Sequence, residues 1–331
     1  MQNTAELKQL IDQSQKILII QAENPDGDSL GTALALEEIL GELGKEPLLY
    51  CPVIIPRYLR FVPGWDRVSD ELPTEFDMSI IVDTSSATLL ERVLTPQQQP
   101  KLAAKPVVVL DHHEHEIDLP FENMLPVISH SAVATGELVY ELAKEFDWPL
   151  SVTAGERMAT SILFDSLGLT TSATTARSIH VIGELVELGV NLSELDNRRR
   201  QMMKKSPQIL AYKAELIKRI EYHLDGRLAT VIIPWEEIEQ YSDEYNPSML
   251  VIEEMRMVTG VQLAASFKTY PDGKITCKLR ANPEAPIARD LAAHFGGGGH
   301  PQAAGFKVRG TPIEEIRQET IATVAKLLEE A

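Results

Sequence analysis

Acidic residues and histidines recur where apolar segments of this chain give way to loops. They are Asp26, Asp28, Asp83, the triplet Asp111-His112-His113, and Asp165. Carboxylates combined with neutral imidazoles suit Mn²⁺, or another divalent ion of intermediate softness, better than Ca²⁺ or a thiolate-bound zinc. Two such ions that share a carboxylate lower the pKa of water and stabilise charge on both sides of a phosphoryl group. The residue types therefore predict a two-metal site for phosphoryl chemistry.

Short apolar strands are the elements that must position these side chains. Val107–Leu110 consists of four apolar residues, which is typical of a strand buried on both faces of a parallel sheet. Similar strands are predicted at Lys16–Ile20 and Ser79–Val82. Because ligands collect at the carboxyl ends of strands in open α/β sheets, we expect the side chains that follow these strands to meet at one edge.

Alternating strands and helices predict an α/β fold for the first part of the chain. We expect a doubly wound, mainly parallel sheet with helices on both faces. The remaining predicted elements of this part are strands at Pro47–Cys51 and Leu125–Ile128, and helices at Ser29–Leu43, Glu137–Phe146 and Thr153–Phe164. The last of these helices leads into Asp165.

A second, smaller α/β domain is predicted to follow a charged helical linker. Its strands are expected at Arg227–Ile233, Gly260–Thr269 and Lys274–Leu279, with a short helix at Ile287–Phe295. The expected organisation is therefore a first domain over 1–200, a linker over 201–224 and a second domain over 225–331.

Composition excludes several classes of function. A formal net charge of −18 over 331 residues argues against a protein that binds long duplexes, because such proteins present a basic face to the phosphates. A small anionic ligand in one local pocket remains compatible with that charge. The sequence has two cysteines without metal-ligand spacing, no signal-peptide pattern and no apolar run long enough to cross a bilayer. We expect a cytoplasmic protein with no membrane partner.

The motifs together resemble those of the DHH phosphoesterase family. The resemblance rests on Asn24-Pro25-Asp26-Gly27-Asp28, Asp83, Asp111-His112-His113, Asp165 and the segment Gly296–Gly305. It extends over nearly the whole chain, and the final segment resembles the Gly-Gly-Gly-Gly-His-x-x-Ala-Ala-Gly signature of the DHH-associated substrate domain. In length, the chain is most similar to the stand-alone branch of oligoribonucleases that also act as pAp phosphatases.

This resemblance implies a role for each residue of the motif set. Asp26 is implied as a ligand of one ion, Asp28, His112 and Asp165 as ligands of the other, and Asp83 as the bridge between them. His113 is implied to face the phosphate, as an acid for the leaving oxygen or as a hydrogen-bond donor. Two Mn²⁺ ions are expected, with Mg²⁺ or Co²⁺ as alternatives.

The second domain is implied to hold the substrate. Arg280 matches the arginine of the family that contacts phosphate or base, and the amides of Gly297, Gly298 and Gly299 could form an anion nest beside His300. The expected partners are short RNA oligonucleotides or nucleotides, and the family also suggests a homodimer through the first domain.

One position departs from the family pattern. The first motif normally opens with a histidine two residues before the asparagine, and this chain has Ala22 there. Three outcomes stay open: weak binding of the first ion, replacement by another side chain such as His115 or His130, or a single ion with little hydrolysis. The alternative functions are hydrolysis of linear or cyclic dinucleotides, or a degenerate nucleotide-binding protein. For Asp28 alone, capping of the following helix is the simpler interpretation.

Overall fold

Five parallel strands form the sheet of the first part of the chain. The computed structural model describes residues 2–114, 116–242 and 244–330, and it divides into two compact units, Met1–Lys204 and Lys205–Ala331. The strands of the first unit run in the order β2-β1-β3-β4-β5. They are β1 (Lys16–Ile20), β2 (Glu46–Tyr50), β3 (Met78–Val82), β4 (Val107–Asp111) and β5 (Met124–Ile128).

Alternate side chains of these strands enter two separate apolar cores. Ile17 and Ile19 of β1 pack into the larger core, whereas Leu18 and Ile20 pack into the smaller core on the other face. Both faces are therefore covered, as predicted for a doubly wound sheet. The helices of this unit are α1 (Thr4–Gln13), α2 (Gly27–Glu42), α3 (Gln99–Ala103), α4 (Thr135–Glu145), α5 (Val152–Asp165), α6 (Ala176–Leu188) and α7 (Leu192–Met202).

The predicted α/β class is confirmed, and the strands of the first unit lie within one residue of their predicted bounds. Two differences concern the candidate site. Asp111 is the last residue of β4 and not the first residue of a loop, and Asp165 is the last residue of α5. Both side chains are therefore positioned by regular backbone.

A six-stranded mixed sheet organises the second unit, in the order β10-β11-β9-β8-β7-β6. Its strands are β6 (Glu221–His223), β7 (Leu228–Ile233), β8 (Leu263–Thr269), β9 (Lys274–Ala281), β10 (Gly298–His300) and β11 (Ala303–Arg309). Its helices are α8 (Pro207–Lys218), α9 (Trp235–Tyr241), α10 (Ile252–Arg256), α11 (Ala288–His294) and α12 (Ile313–Glu330).

The segment predicted as a linker contains helix α8. Ile209, Tyr212 and Leu216 of this helix are buried against β7 residues such as Val231, in a core that belongs to the second unit. The charged pattern of the segment describes only the outer face of the helix. None of the helices within the described residues has the length and apolar character needed to cross a membrane.

Candidate metal centre

Three carboxylates surround one imidazole nitrogen at the carboxyl edge of the parallel sheet. The Nε2 atom of His112, which directly follows β4, lies 3.5 Å from Asp28 Oδ2. The same atom lies 3.6 Å from Asp83 Oδ1 and 3.6 Å from Asp165 Oδ2. Residues from α2, from the ends of β3 and β4, and from the end of α5 thus converge on one point, although they are far apart in sequence.

The donor set has the chemistry that a divalent cation requires. Within the described part of the chain, His112 Nε2 is buried and has no hydrogen-bond partner. Its distances to the carboxylates exceed the 2.7–3.2 Å range of ordinary N–H···O bonds. One ligand atom each from Asp28, His112 and Asp165 lie within 4.8 Å of one another, and so do those from Asp83, His112 and His113. An imidazole nitrogen surrounded by carboxylate oxygens without hydrogen bonds fits Mn²⁺ or a similar ion.

The side chain of Asp28 is held by a network of hydrogen bonds that the local sequence does not predict. Its carboxylate accepts hydrogen bonds from the amides of Thr135 (2.8 Å) and Gly136 (3.3 Å) at the start of α4. It also accepts from the hydroxyl of Ser161 in α5 (2.6 Å) and from that of Thr32 in α2 (3.0 Å). Four donors therefore fix the orientation of one buried carboxylate, and Oδ2 still faces His112.

Close packing of α2 on α5 brings this network together. A Cβ atom at Gly31 of α2 would lie 2.7 Å from the backbone oxygen of Arg157, so no side chain fits between the helices there. At Gly136 a Cβ atom would lie 2.1 Å from Ser161 Oγ. Glycine at these two positions therefore allows the three helices to approach closely enough for Asp28 to reach Ser161.

We expect Gly31→Ala to lower the melting temperature by several degrees, because the added methyl group must push α2 away from the backbone of α5. Overpacking of this kind typically costs about 1–3 kcal/mol. The matched control is Gly41→Ala on the same helix, where a Cβ atom would meet nothing within 4 Å. Since alanine favours helix by up to about 1 kcal/mol over glycine, the control should match or exceed the stability of the wild type. Equal melting temperatures for the two variants by circular dichroism would contradict the close-packing argument.

Asp83 has an unusual backbone conformation and lies near other carboxylates. Its φ angle of 62° is in the left-handed region, and the hydroxyl of Thr135 donates to its Oδ1 at 3.1 Å. Burial and the neighbouring carboxylates of Asp28 and Asp26 raise the pKa of Asp83 well above its usual range. Burial, followed by the charge of Asp28, also raises the pKa of Asp165 to about 6. The negative end of the α5 dipole at Asp165 adds to this repulsion, which a bound cation would relieve.

A pH dependence of stability follows for the metal-free protein. The pKa of Asp165 is about 6 in the folded chain, against about 3.9 for an unfolded aspartate. The folded state therefore binds more protons than the unfolded state in this range, and stability falls as the pH rises from about 4 through about 6. We expect Asp165→Asn to flatten this fall in thermal melts recorded in EDTA, whereas the exposed Asp66→Asn should leave it intact. If the melting temperature fell equally with rising pH in the wild type and in Asp165→Asn, repulsion within this group of carboxylates would be refuted as the cause.

Asp26 has a different local role from the one the motif alone suggests. Its side chain is the N-cap of α2, and Oδ1 accepts hydrogen bonds from the amides of Asp28 and Ser29, both at 3.0 Å. The capping interpretation considered for Asp28 thus applies to Asp26. Neither group of ligand atoms within 4.8 Å of one another includes Asp26 among the described residues. Its part in binding the first ion stays a prediction.

Ala22 lies at the same edge of the sheet as Asp83. It follows β1 by two residues, Asp83 directly follows β3, and these two strands are parallel neighbours whose last printed pair is Ile20 with Ile81. Ala22 is 6% exposed, so a larger side chain there would have to displace buried neighbours. The missing histidine therefore belongs to the sheet edge that carries the candidate ligands.

The two neighbours of Ala22 in sequence and the two histidines suggested as replacements lie in different surroundings. The carboxylate of Glu23 accepts from the amide of Arg92 at 3.1 Å. His130 is exposed beyond the end of β5. His115 lies outside the described residues. Gln21 is fully buried, and within the described part of the chain its two side-chain polar atoms have no hydrogen-bond partner.

His113 is oriented by Asp111, a role the sequence pattern did not assign. Nδ1 of His113 lies 2.7 Å from Asp111 Oδ1, and the hydroxyl of Ser85 donates to Asp111 Oδ2 at 2.8 Å. The hydrogen bond with Asp111 raises the pKa of His113 despite burial. Burial acts to raise the pKa of Asp111, but the hydrogen bond and charge of His113 together with Ser85 lower it. The pair therefore favours a protonated, well-oriented imidazole near Asp83.

The substrate residues predicted for the second unit lie on neighbouring strands. Arg280 is on β9 and pairs with Ala303 of β11, which in turn pairs with His300 of β10. The glycine run forms the end of α11 and the hairpin into β11, and the amide of Gly297 donates to Ala292 of α11 at 2.8 Å. Gly298 and Gly299 belong to β10. Contact of Arg280, Gly297, Gly298, Gly299 and His300 with substrate stays a prediction.

Two family models match the chain. The model described as the DHH family, N-terminal domain, matches residues 16–171. The model described as the DHHA1 domain matches residues 238–330. The first match contains every candidate metal ligand, and the second contains Arg280 and the glycine run.

Relatives of similar length cover most of the chain. The chain is 26% identical over 317 residues to the "bifunctional oligoribonuclease and PAP phosphatase NrnA" of Thermus thermophilus. The alignment spans 95% of this chain and 91% of that protein. The protein of the same name from Bacillus subtilis is 26% identical over 295 residues, spanning 88% of this chain and 89% of its own. The "cyclic-di-AMP phosphodiesterase PdeA" of Listeria monocytogenes is 23% identical over 96% of this chain but only 48% of that protein.

A solved structure shares the fold. The crystal structure of an exopolyphosphatase-related protein from Bacteroides fragilis superposes with a TM-score of 0.84 at 21% identity, covering 99% of this chain and 97% of that one. This likeness supports the α/β architecture of both units.

Proposed function

The chain belongs to the DHH family and has a DHHA1 domain as its second part, and we propose that it hydrolyses short oligoribonucleotides to mononucleotides with the help of Mn²⁺. We further propose that it removes the 3′-phosphate of pAp. The two relatives of similar length whose names combine these activities support both proposals. Mn²⁺ as the native ion, a homodimer and a cytoplasmic location stay predictions.

The observation that carries the proposal is the surroundings of His112 Nε2. A buried imidazole nitrogen lies 3.5–3.6 Å from the carboxylates of Asp28, Asp83 and Asp165, and it has no hydrogen bond within the described residues. An ordinary structural histidine would be hydrogen-bonded. A group of ligands for a cation explains both the convergence and the absence of hydrogen bonds.

The residues of the first unit divide the work of phosphoester hydrolysis. Asp28, His112 and Asp165 would hold one ion, Asp83 would bridge to a second, and Asp26 would complete the second site. Divalent cations bound there supply a water of lowered pKa and positive charge for the phosphoryl oxygens. The imidazole of His113, held by Asp111, can donate a hydrogen bond or a proton to the leaving oxygen.

A panel of substrates tests this function. The full chain, first stripped with EDTA and then supplied with Mn²⁺, Mg²⁺ or Co²⁺, should cleave RNA of two to five nucleotides and pAp. A 24-nucleotide RNA should be cleaved far more slowly, and no cleavage should occur in EDTA. Release of phosphate from pyrophosphate alone, or hydrolysis that persists in EDTA, would overturn the proposal.

A second candidate is hydrolysis of linear or cyclic dinucleotides. It is favoured by relatives such as PdeA, which align with nearly the whole chain over about half of their own length. Inclusion of pApA and cyclic di-AMP in the same panel separates the two functions. Preference for the cyclic substrate over all short linear RNA would favour the second.

A third candidate is a nucleotide-binding protein without hydrolytic activity. It is favoured by Ala22 and by the use of Asp26 as a helix cap, since both weaken the set of ligands for the first ion. The expected signature is tight binding of pAp or dinucleotides with no turnover in any of the three metals.

A further inference from the structure

The first turn of helix α4 donates hydrogen bonds to two candidate metal ligands. Its N-cap residue is Ala134, whose side chain has no atom that could accept from the free amides of a helix N-terminus. The amides of Thr135 and Gly136 donate instead to the carboxylate of Asp28. The hydroxyl of Thr135 also donates to Asp83. Asp28 therefore takes the place of a cap for α4, and the position of this turn sets the donors that both carboxylates meet.

The side chain of Glu137 holds this turn from inside the first unit. Glu137 is the third residue of α4 and is 1% exposed. Its Oε2 atom accepts from the amide of Val133, which precedes the N-cap, at 2.9 Å. The same atom accepts from the hydroxyl of Ser178, near the start of α6, at 2.9 Å. One carboxylate therefore joins the segment before α4, the first turn of α4 and the start of α6.

A carboxylate in this position is costly for the fold. Burial raises the pKa of Glu137, although the hydrogen bonds from Val133 and Ser178 act in the opposite direction. Its other oxygen, Oε1, has no hydrogen-bond partner within the described part of the chain. An apolar side chain would fill the same space without the cost of removing a carboxylate from water. What only a polar side chain of this length supplies is the pair of hydrogen bonds that fixes the start of α4.

We propose that Glu137 is a positioning residue of the metal centre, which holds Val133 against the first turn of α4 and thereby fixes the donors to Asp28 and Asp83. The inference rests on the proposed function and deepens it, because it names a residue outside the ligand set on which Mn²⁺ affinity depends. Loss of groups that orient metal ligands typically lowers metal affinity by about 10- to 100-fold. On this account the reach of the side chain matters and its charge does not.

Three substitutions of Glu137 separate reach from charge. Glu137→Gln keeps the length of the side chain and an acceptor oxygen for Val133 and Ser178, but it loses the charge. Glu137→Asp keeps the charge, but it is one methylene group shorter and cannot make both hydrogen bonds from the same backbone position. Glu137→Ala loses reach and charge together.

The first measurement is calorimetric titration of the full chain with Mn²⁺, after removal of metal with EDTA. We expect Glu137→Gln to bind Mn²⁺ within about threefold of the wild type, and Glu137→Asp and Glu137→Ala to lose at least tenfold in affinity. The matched control is Glu141→Ala, one turn later on α4, where the carboxylate accepts from Arg177 at 3.2 Å. This control should bind Mn²⁺ as the wild type does.

Thermal melts in EDTA show which variants are folded at the temperature of the titration. If Glu137→Ala is unfolded there, the comparison of Glu137→Gln with Glu137→Asp still decides. In turnover of short RNA, Glu137→Asp should need at least tenfold more Mn²⁺ for half its maximal rate, with little change in kcat at saturating Mn²⁺.

Two results would overturn the inference. Wild-type affinity for Mn²⁺ in folded Glu137→Asp would leave Glu137 with a role in stability only. Recovery of affinity by Glu137→Asp but not by Glu137→Gln would show that charge and not reach is required.

The outcomes also separate this inference from the proposed function. Loss of Mn²⁺ affinity in Glu137→Asp, with no turnover of any substrate by the wild type, would support the positioning role and refute the hydrolase. Turnover of short RNA by the wild type, with unchanged Mn²⁺ affinity in Glu137→Asp, would refute the positioning role alone.

Discussion

Replacing Asp83 with asparagine is expected to lower Mn²⁺-dependent turnover by at least a thousandfold, because both proposed ions lose a ligand at once. Asparagine suits this position, since it tolerates the left-handed backbone at φ 62° and its amide oxygen can still accept from Thr135. The fold should therefore survive. Steady-state hydrolysis of a short RNA gives the reading, with Asp83→Ala as the more severe variant.

The same substitution should make the metal-free protein more stable. Burial and the charges of Asp28 and Asp26 raise the pKa of Asp83 in the folded state, so its ionised form opposes folding at neutral pH. Loss of that charge should raise the melting temperature in EDTA by a few degrees, and it should reduce the further rise that Mn²⁺ produces. A variant that is inactive but melts lower than the wild type would point to misfolding. Unchanged turnover would refute the two-metal mechanism.

Restoring a histidine at position 22 is expected to have the second largest effect. Ala22→His should raise the number of tightly bound Mn²⁺ ions from one towards two, because the new imidazole would add a ligand at the sheet edge that carries Asp83. Turnover at limiting Mn²⁺ should increase at least tenfold. Metal content after gel filtration and a titration of activity against Mn²⁺ measure the two effects separately.

The control for this variant is Ala22→Phe, which adds a ring of similar size without a ligand atom. Because Ala22 is 6% exposed, both substitutions must displace neighbouring atoms and should lower stability. Only histidine should offset that loss of stability by binding metal. A large gain over a wild type without turnover would identify the native chain as a nucleotide-binding protein. Two ions already bound tightly by the wild type, with no gain from histidine, would show that Ala22 is not a defect.

The local sequence pattern was sufficient to predict the strands of the first unit. The strands predicted at Lys16–Ile20 and Val107–Leu110 were found within one residue of those bounds, because short apolar runs of this kind form buried parallel strands. The hairpin that β10 (Gly298–His300) forms with β11 could not be predicted. Glycine allows many backbone conformations, so a glycine run has no periodic pattern that indicates a strand. The short strand Glu221–His223 was also missed, since its residues are polar and it lies at the edge of the sheet.

The capping of α2 shows where local reasoning ends. Asp26 and Asp28 both precede the apolar part of the helix, and either could cap it by composition. The structure begins the helix at Gly27, which makes Asp26 the cap and turns Asp28 inward. The choice depends on α4 and α5, because four hydrogen-bond donors from Thr32, Thr135, Gly136 and Ser161 compensate Asp28 for its loss of water.

The sequence by itself determined the residue types of this protein's site, their order along the chain and the strands and helices that end beside them. These features follow from hydrophobic period and motif, which are properties of neighbouring residues. Only the tertiary structure decided that Asp111 orients His113 and that Gly31 lets α5 carry Ser161 to Asp28. Each of these depends on strand register or helix contact between distant segments, and such contacts are chosen by the packing of the whole unit.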